Sequence, residues 1–468
     1  MGEKFYFEDI ICAKATPSGS SAVAIIRVSG KDSWRLLSKI FKSMNKNFSS
    51  FKTHRAYYGD IVDDQEVVDN ALVITFKEKS SFTGEESFEI NCHGSEIIAS
   101  LILKILIKNG ARLADPGEFS KRGFLNGKMN LAEAESIMDI VSSSTKQSAL
   151  IAVRQLSGRL TSQINEIKNK IADLLADVEV YIDYPEEDLK IDEEKWKNEI
   201  SLIKDLTENL LAGFERGKFY RKGVEAVILG KTNAGKSTMF NYLLDFDKAI
   251  VSDIHGTTRD YIDAIINVAG YGVRIYDTAG LRETNDPIEY EGARRARELA
   301  KNSDIVLYLI GYDYGLTEED KNNLKSIEKN KKVIIVINKI ELSNDEGEKL
   351  YSDIDFFLKS LIDNYRIIKM SGLNKFGVED FNEAFLSLLI NEKSREQNDP
   401  IITNERHKDL LDKTKINLIN ALKELDNELL DITAFELREA LDNLGEITGE
   451  ITPSDILNKI FSTFCIGK

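Results

Sequence analysis

The sequence predicts a three-part protein: an α+β domain, a helical domain, and a mostly parallel α/β domain inserted into the helical one. Residues 1–125 combine alternating, strand-like runs with one helix-like run, SEIIASLILKILIKNG. From about Asn130, apolar residues recur at helical spacing. From Val224, six short runs rich in Val and Ile (VEAVIL, AIINV, VRIYD, DIVLYLI, KKVIIVINK and RIIKM) alternate with helical or polar segments. That rhythm is typical of a parallel sheet covered on both faces.

Helical periodicity is found both before and after the α/β segment. The first part ends at Tyr184-Pro185, and the second begins after about residue 390 with LLDKTKINLINALKELDNELL. Because each part alone is short of packing partners, we expect one helical domain interrupted by an insertion. The predicted division is an N-terminal domain at 1–125, the first helical part at 126–218, the α/β domain at 219–388 and the second helical part at 389–468.

Composition indicates an ordinary globular chain of 468 residues with a formal net charge of −16. No stretch approaches the roughly 18 apolar residues of a membrane span, and the N-terminus lacks a secretory pattern, so we expect a cytoplasmic protein. The negative charge argues against a broad non-specific nucleic-acid surface, although a local basic patch could still bind RNA. Three cysteines, Cys12, Cys92 and Cys465, are too few for a disulfide framework or a thiolate metal site.

The run GKTNAGKS at residues 230–237 has the context of a phosphate-binding P-loop. It follows the strand-like VEAVIL and precedes the helix-like TMFNYLL. Glycines let backbone N–H groups close around phosphates, and the helix N-terminus adds a partial positive charge. We expect Lys236 to reach the β- and γ-phosphates and the Ser237 hydroxyl to bind Mg²⁺.

Three further motifs follow in the order that a GTPase needs. GTTRD at 256–260 supplies a hydroxyl that can complete Mg²⁺ coordination, and DTAG at 277–280 places Asp277 near the metal and the Gly280 N–H near the γ-phosphate. NKIE at 338–341 resembles the guanine-reading NKxD motif. Its Glu341 carries one methylene more than Asp, which predicts weaker guanine affinity rather than lost specificity. Ser371, after RIIKM, is expected to close the base pocket through backbone contacts. These motifs predict binding and hydrolysis of a guanine nucleotide.

Leu281 stands where Ras-type enzymes carry the Gln that orients the attacking water. An apolar side chain cannot orient water, so another group or a partner must do so. The following segment offers Glu283, Asp286, Glu289 and Glu291, each of which could equally be a solvated surface carboxylate.

Several long segments along the chain are distinctive: ATPSGSSAVAIIRVSG, SFTGEESFEINCHG, DPGEFSKRGFLNGKMNLAEAE, the P-loop, SDIHGTTRDY, DTAGLRET and the terminal EITPSDILNKIFSTFCIGK. In these segments the chain resembles the tRNA-modification GTPase family MnmE, also called TrmE. The resemblance implies a Ras-like P-loop G domain inserted into a helical domain. It also implies that residues 1–125 form a dimerising domain like the folate-binding domains of aminomethyltransferases.

The function implied by the resemblance is a K⁺-stimulated GTPase that takes part in aminomethyl-type modification of the wobble uridine of tRNA. The implied partners are tRNA, a second copy of the chain, and the FAD-dependent protein MnmG (GidA), with which the family forms a heterotetramer. Two other functions stay open from the residues. One is an RNA- or ribosome-associated GTPase switch without modification chemistry, and the other is a folate-dependent aminomethyltransferase with an accessory GTPase.

Motifs and resemblance together assign the nucleotide site. The residues expected to contact GTP are Asn233, Ala234, Gly235, Lys236, Ser237, Thr238, Ser252, Asp253, Ile254, His255, Gly256, Thr257, Thr258, Asp277, Thr278, Ala279, Gly280, Asn338, Lys339, Glu341 and Ser371. The resemblance implies a K⁺ beside the phosphates, acting where other GTPases use an arginine finger, with ligands at Asn233, Ser252, Ile254 and Thr257. It also implies Thr258 as a second Mg²⁺ ligand beside Ser237, and Glu289 as the catalytic acid that positions water.

A second site is implied in the N-terminal domain, where the family binds 5-formyltetrahydrofolate or a related folate. The matching positions are Arg27, Glu89, Lys128 and the terminal Lys468. A carboxylate can pair with the pterin N–H edge, while Arg and Lys can meet the glutamate tail. Cys465 is either a packed small side chain or a thiol near the one-carbon donor. His93 and His255 are either catalytic or structural.

Overall fold

The structure is a computed structural model, and it describes residues 8–184, 192–246, 262–277, 298–343, 347–390 and 402–467. The chain divides into two compact units. The N-terminal unit comprises Met1–Met138, Leu156–Thr161 and Asp442–Lys468, and the central unit comprises Asp139–Gln155 and Ser162–Leu441. None of the helices in the described ranges has the length and apolar content that a membrane crossing requires.

The strands are β1 (Ile10–Lys14), β2 (Val23–Ser29), β3 (Phe41–Ser43), β4 (Arg55–Asp63), β5 (Glu66–Phe76), β6 (Ser87–His93), β7 (Ala111–Leu113), β8 (Val224–Gly230), β9 (Ile262–Val268), β10 (Tyr271–Asp277), β11 (Ile305–Gly311), β12 (Lys332–Asn338) and β13 (Asn364–Lys369). The helices are α1 (Ser33–Ile40), α2 (Glu96–Lys108), α3 (Glu118–Leu125), α4 (Leu131–Ser142), α5 (Lys146–Leu156), α6 (Arg159–Asp183), α7 (Glu193–Ala212), α8 (Phe214–Lys222), α9 (Lys236–Phe246), α10 (Glu318–Lys325), α11 (Glu348–Leu358), α12 (Val378–Leu389), α13 (Glu405–Asp426), α14 (Leu430–Thr448) and α15 (Ser454–Ser462).

The N-terminal unit is built on a sheet with the described strand order β3-β4-β5-β6-β2-β1-β7. Its strand pairs are antiparallel, except that β7 runs parallel to β1. Helices α1 and α2 cover one face, and α2 buries Ala99, Ile102, Ile105 and Leu106 at helical spacing. The prediction of an α+β arrangement for this part of the chain is confirmed.

The C-terminal residues belong to the core of the same unit. Leu457, Phe461 and Phe464 pack with Leu131 and Ala134 of α4. The fit is close at Gly117, where an added Cβ would come within 2.3 Å of the Phe461 carbonyl oxygen. The end of the chain is therefore built into the N-terminal unit.

The sheet of the central unit has the described order β13-β12-β11-β8-β10-β9. Its pairs are parallel except for β9, which is antiparallel to β10 at one edge. Helices α9 and α12 pack on one face and α10 and α11 on the other. Strand β11 is buried along its entire length because both faces are covered. The predicted mostly parallel α/β segment is confirmed.

Helices on either side of the α/β segment contact each other inside the central unit. Helix α7 packs along α13, and Lys197 and Asp426 join the two helices by an ion pair of 2.8 Å. Helix α6 is joined to α14 by Arg438 and Glu179 at 2.6 Å. The two helical stretches that flank the insertion in sequence thus pack together, as the insertion topology predicts.

The turn between β9 and β10 contacts Thr145, the residue directly before α5. The Thr145 hydroxyl donates to the Gly270 carbonyl oxygen at 2.9 Å. Next to it the rings of Tyr220 and Tyr271 stack with centroids 4.2 Å apart. Strand β10 ends at Asp277, a predicted nucleotide-site residue, so the hairpin spans from the helical part of the unit to that site.

Candidate nucleotide-binding site

The P-loop joins the end of β8 to the start of α9. Asn233 has a left-handed backbone with φ 67°, and Gly235 has φ 89°. An added Cβ at Gly235 would lie 2.3 Å from the Asn338 amide nitrogen, so this position excludes any larger residue. Helix α9 begins at Lys236, so its unpaired N–H groups and its dipole face the loop. This arrangement binds phosphate in P-loop proteins.

The side chain of Asn338 links three predicted segments by hydrogen bonds: the P-loop, its own NKIE motif and the loop at Ser371. Its side-chain amide donates to the Ala234 carbonyl oxygen at 2.8 Å, and its amide oxygen accepts from the Gly372 N–H at 3.3 Å. The residue is buried. The P-loop, the NKIE motif and the Ser371 loop follow the carboxyl ends of β8, β12 and β13, and parallel strands bring those ends to one edge of the sheet. The structure therefore brings the predicted phosphate and base segments together.

Lys236 and Ser237 lie at the phosphate end of the site. The buried Lys236 ammonium donates to the carbonyl oxygens of Gly230 and Lys231, at 3.0 and 2.9 Å. The Ser237 hydroxyl lies 3.5 Å from a carboxylate oxygen of Asp277, which is buried at the end of β10. A hydroxyl and a carboxylate side by side are the oxygen donors that Mg²⁺ prefers, so these residues fit the metal.

The second half of the NKIE motif forms a tight turn. Lys339 has a left-handed backbone with φ 61° and begins the 3₁₀ helix Ile340–Leu342. Its ammonium pairs with Asp313 at 2.6 Å. Glu341 is exposed on that turn, where its carboxylate is accessible. Ser371 is buried, and its hydroxyl accepts from the Asn374 N–H at 2.9 Å.

Many predicted site residues lie outside the described ranges. They are Ser252, Asp253, Ile254, His255, Gly256, Thr257, Thr258, Thr278, Ala279, Gly280, Glu289 and Lys468, together with Leu281 and the other acid candidates Glu283, Asp286 and Glu291. The K⁺ site, including its described member Asn233, the Thr258 Mg²⁺ ligand and the water-positioning acid therefore stay predictions.

In the N-terminal unit, the structure pairs Arg27 with Glu89. The two residues stand opposite each other on β2 and β6, and the Arg27 Nε donates to Glu89 at 2.9 Å. The guanidinium also lies over the rings of Phe82 and Phe119, with 5.3 and 5.8 Å to their centroids, and donates to the Gly467 carbonyl oxygen. The two phenylalanines are absent from the predicted site, although both stand in segments that carry the family resemblance.

Three other predicted positions have separate surroundings. The Lys128 ammonium donates to the Lys79 carbonyl oxygen at 2.9 Å on the surface. His93 is exposed and pairs with Asp69 at 2.6 Å. Cys465 is exposed, so the interpretation as a packed small side chain is wrong. The reason is local: after α15 the buried positions are taken by Phe464 and Gly467, and Cys465 between them faces outward.

Two family models match successive parts of the chain. The model of the MnmE helical domain matches residues 131–465, and the model of the GTP-binding protein TrmE N-terminus matches residues 10–128. The first alone covers more than half of the chain.

Curated relatives match over almost the whole length. The chain is 38% identical over 467 residues to the tRNA modification GTPase MnmE of Acetivibrio thermocellus, covering 99% of this chain and 100% of that one. It is 40% identical over 467 residues to the tRNA modification GTPase MnmE of Carboxydothermus hydrogenoformans, covering 98% and 100%. Among solved structures, Aquifex aeolicus Era bound to GDP and AlF₄⁻ is 24% identical with a TM-score of 0.30, covering 42% of this chain and 67% of that one.

Proposed function

The chain belongs to the MnmE family of tRNA modification GTPases, and we propose that it binds and hydrolyses GTP to support modification of the wobble uridine of tRNA. The observation that carries the nucleotide part is the side chain of Asn338. It bonds to Ala234 of the P-loop and to Gly372 of the base-side loop. One side chain thereby sets the spacing between the phosphate loop and the base pocket.

The phosphate end of the site works through Lys236, Ser237 and Asp277. When GTP binds, the Lys236 ammonium exchanges the carbonyl oxygens of Gly230 and Lys231 for β- and γ-phosphate oxygens. Ser237 and Asp277, 3.5 Å apart, would hold Mg²⁺, which would supply positive charge against the charge that develops on the phosphates.

K⁺ stimulation is part of the proposal. Asn233 is exposed in the P-loop with a left-handed backbone, which Asn tolerates, so its amide oxygen is accessible to a cation beside the phosphates. Its co-ligands Ser252, Ile254 and Thr257 rest on the family alone. GTP turnover by the full chain should be clearly faster in KCl than in NaCl at equal ionic strength. Equal turnover in the two salts would remove K⁺ from the mechanism.

Glu289 is proposed as the acid that positions the attacking water. In the variant Glu289→Ala, GTP affinity should survive while the single-turnover hydrolysis rate collapses, because the residue acts on water and not on the nucleotide. Glu291→Ala is the matched control, since it removes a neighbouring carboxylate and should leave the rate unchanged. Unchanged hydrolysis by the Glu289 variant would exclude this role.

The N-terminal unit is proposed to bind 5-formyltetrahydrofolate at Arg27 and Glu89, with Lys128 and Lys468. The support is a charged pair next to the exposed ring of Phe82, against which a flat pterin can stack. Calorimetric titration of the full chain with 5-formyltetrahydrofolate should show binding. Arg27→Ala should abolish that binding and leave the affinity for GDP unchanged. Absence of binding to the wild-type chain contradicts this part of the proposal.

The remaining parts have other grounds. A homodimer formed by the N-terminal domains, tRNA as substrate and the FAD-dependent partner MnmG rest on the family alone. A cytoplasmic location and the division at residues 125, 218 and 388 rest on the sequence patterns. The matches to both MnmE and TrmE models favour a modification enzyme over an RNA- or ribosome-associated switch. A switch without modification chemistry would leave wobble nucleosides unchanged when the chain is deleted.

A further inference from the structure

The loop that follows β11 contacts the base-recognition motif NKIE. Asp313 accepts a hydrogen bond from the Lys339 ammonium at 2.6 Å, and the two side chains are about a quarter exposed, at 28% and 27%. The Tyr312 N–H donates to the Asn338 carbonyl oxygen at 2.9 Å. Two consecutive residues of the loop therefore hold two consecutive residues of the NKIE motif.

The loop itself is rigidly built. The N–H groups of Tyr314 and Gly315 both donate to the Gly311 carbonyl oxygen, at 3.2 and 3.1 Å. An added Cβ at Gly311 would come within 2.5 Å of an Asp313 carboxylate oxygen, so that carboxylate packs directly against the glycine. Asp313 is thus a fixed acceptor and not a freely rotating surface carboxylate.

Tyr314 extends the connection to the P-loop. Two ammonium groups lie near its ring, Lys339 at 5.6 Å and Lys231 at 5.9 Å from the ring centroid. Lys231 is the second residue of the GKTNAGKS run, and its ammonium lies 3.6 Å from Glu319. Cations near aromatic faces at these distances are attracted by the ring. The loop contacts both halves of the nucleotide site from the side.

A lysine side chain is costly to order because four rotatable bonds lose their freedom. Lys339, one of the residues expected to contact GTP, already has its ammonium fixed by Asp313 and Tyr314, so less freedom is lost when a nucleotide binds. We infer that Asp313 is a positioning residue that presets Lys339 and slows nucleotide release, with Tyr314 as its aromatic support. This inference rests on the proposed GTP-binding function.

A merely stabilising ion pair would behave differently. Partly exposed ion pairs contribute little to folding stability, so loss of the pair should hardly change the melting temperature. A positioning role instead predicts a change confined to the nucleotide. The two roles are separated by measuring nucleotide dissociation, the split between KM and kcat, and thermal unfolding on the same variants.

The test compares Asp313→Asn with Asp363→Asn in the full chain. Asp363 also pairs with a lysine, Lys329 at 3.3 Å. It directly precedes β13 and therefore lies at the amino end of that strand, whereas the site lies at the carboxyl ends of the strands. With a fluorescent GDP, Asp313→Asn should dissociate roughly three- to tenfold faster, as expected for loss of a charged hydrogen bond that is partly screened. KM for GTP should rise, while kcat at saturation and the melting temperature stay near wild type. Asp363→Asn should match wild type throughout.

Tyr314 supplies a second pair of variants that does not depend on Asp313, and the residue is 61% exposed, so folding should tolerate substitution. Tyr314→Leu should release GDP about twofold faster, and Tyr314→Phe, which keeps the ring, should match wild type. If the Asp313 and Tyr314 variants release GDP at the wild-type rate, or if Asp363→Asn shows the same acceleration, the inference is wrong. A wild-type chain that binds no guanine nucleotide would instead overturn the proposed function, and the inference with it.

Discussion

Arg122 is a fully buried guanidinium in the N-terminal unit. It pairs with Asp9 and Glu118 at 2.8 Å and with Glu85 at 3.2 Å. Burial raises the pKa of the Glu85 carboxyl, and the Arg122 charge opposes that rise. For Asp9, burial alone would raise the pKa of the carboxyl, but pairing with Arg122 and Arg112 brings that pKa below its usual value. Arg122 thus compensates carboxylates that would otherwise be unfavourable in their positions.

Replacing Arg122 by Met should destabilise the N-terminal unit by about 3 kcal/mol or more, because Glu85 loses its buried counter-charge. Urea unfolding can be followed by Trp34, which lies in that unit, in a Trp196→Phe background. Lys108→Met is the control, since the exposed Lys108 pairs with Asp63 and Asp64 on the surface and should leave stability near wild type. Equal stability of the two variants would contradict the role given to Arg122.

Glu341 is the residue at which the nucleotide site departs from the NKxD pattern. Because its carboxylate is one methylene too far out, Glu341→Asp should bind GDP severalfold more tightly, and Glu341→Gln more weakly because a carboxylate is lost. Equilibrium titration with a fluorescent GDP measures both. If Glu341→Asp binds no better than wild type, the longer side chain is already well placed and our reading of this position is wrong.

At the scale of elements, the β9–β10 hairpin carries a close contact that can be tested by compensation. An added Cβ at Gly272 would lie 2.1 Å from the Ser144 hydroxyl oxygen and 3.3 Å from its Cβ. Gly272→Ala should therefore destabilise the central unit by about 1–3 kcal/mol through overpacking. Adding Ser144→Ala removes the nearest atom and should recover much of the loss. The check is thermal unfolding of the single and the double variant. If the double variant is no more stable than Gly272→Ala, the clash with Ser144 is not the cause of the lost stability.

Elements were predictable where a local pattern specifies them. The six Val- and Ile-rich runs became the strands of one sheet, in which β11 and β12 are buried between two layers of helices. The 95–110 run became α2, which buries Ala99, Ile102, Ile105 and Leu106 at helical spacing. The bond from Asn338 to Ala234 was not predictable, because 104 residues separate them and only the strand order brings them together. The same holds for Phe82 and Phe119 around Arg27, whose proximity depends on the strand register and on α3.

At the scale of the whole molecule, periodicity locates helices but does not say which unit they join. The structure places most helical residues with the α/β segment, while the last 27 residues, Asp442–Lys468, belong to the N-terminal unit. Phe461 and Phe464 in this segment pack against α4, more than 300 residues earlier in the chain. Local composition gives no indication of a contact between residues so far apart in sequence.

We claim that this chain supports tRNA wobble modification through its GTPase site. The most direct measurement is nucleoside analysis of tRNA from a strain lacking the chain, complemented by wild type or by Ser237→Ala. We predict that the wobble-uridine modification disappears on deletion, returns with the wild-type chain and stays absent with Ser237→Ala, whose Mg²⁺ ligand is removed. Unchanged wobble nucleosides in the deletion strain would contradict the claim, and full restoration by Ser237→Ala would separate the modification from the GTPase site.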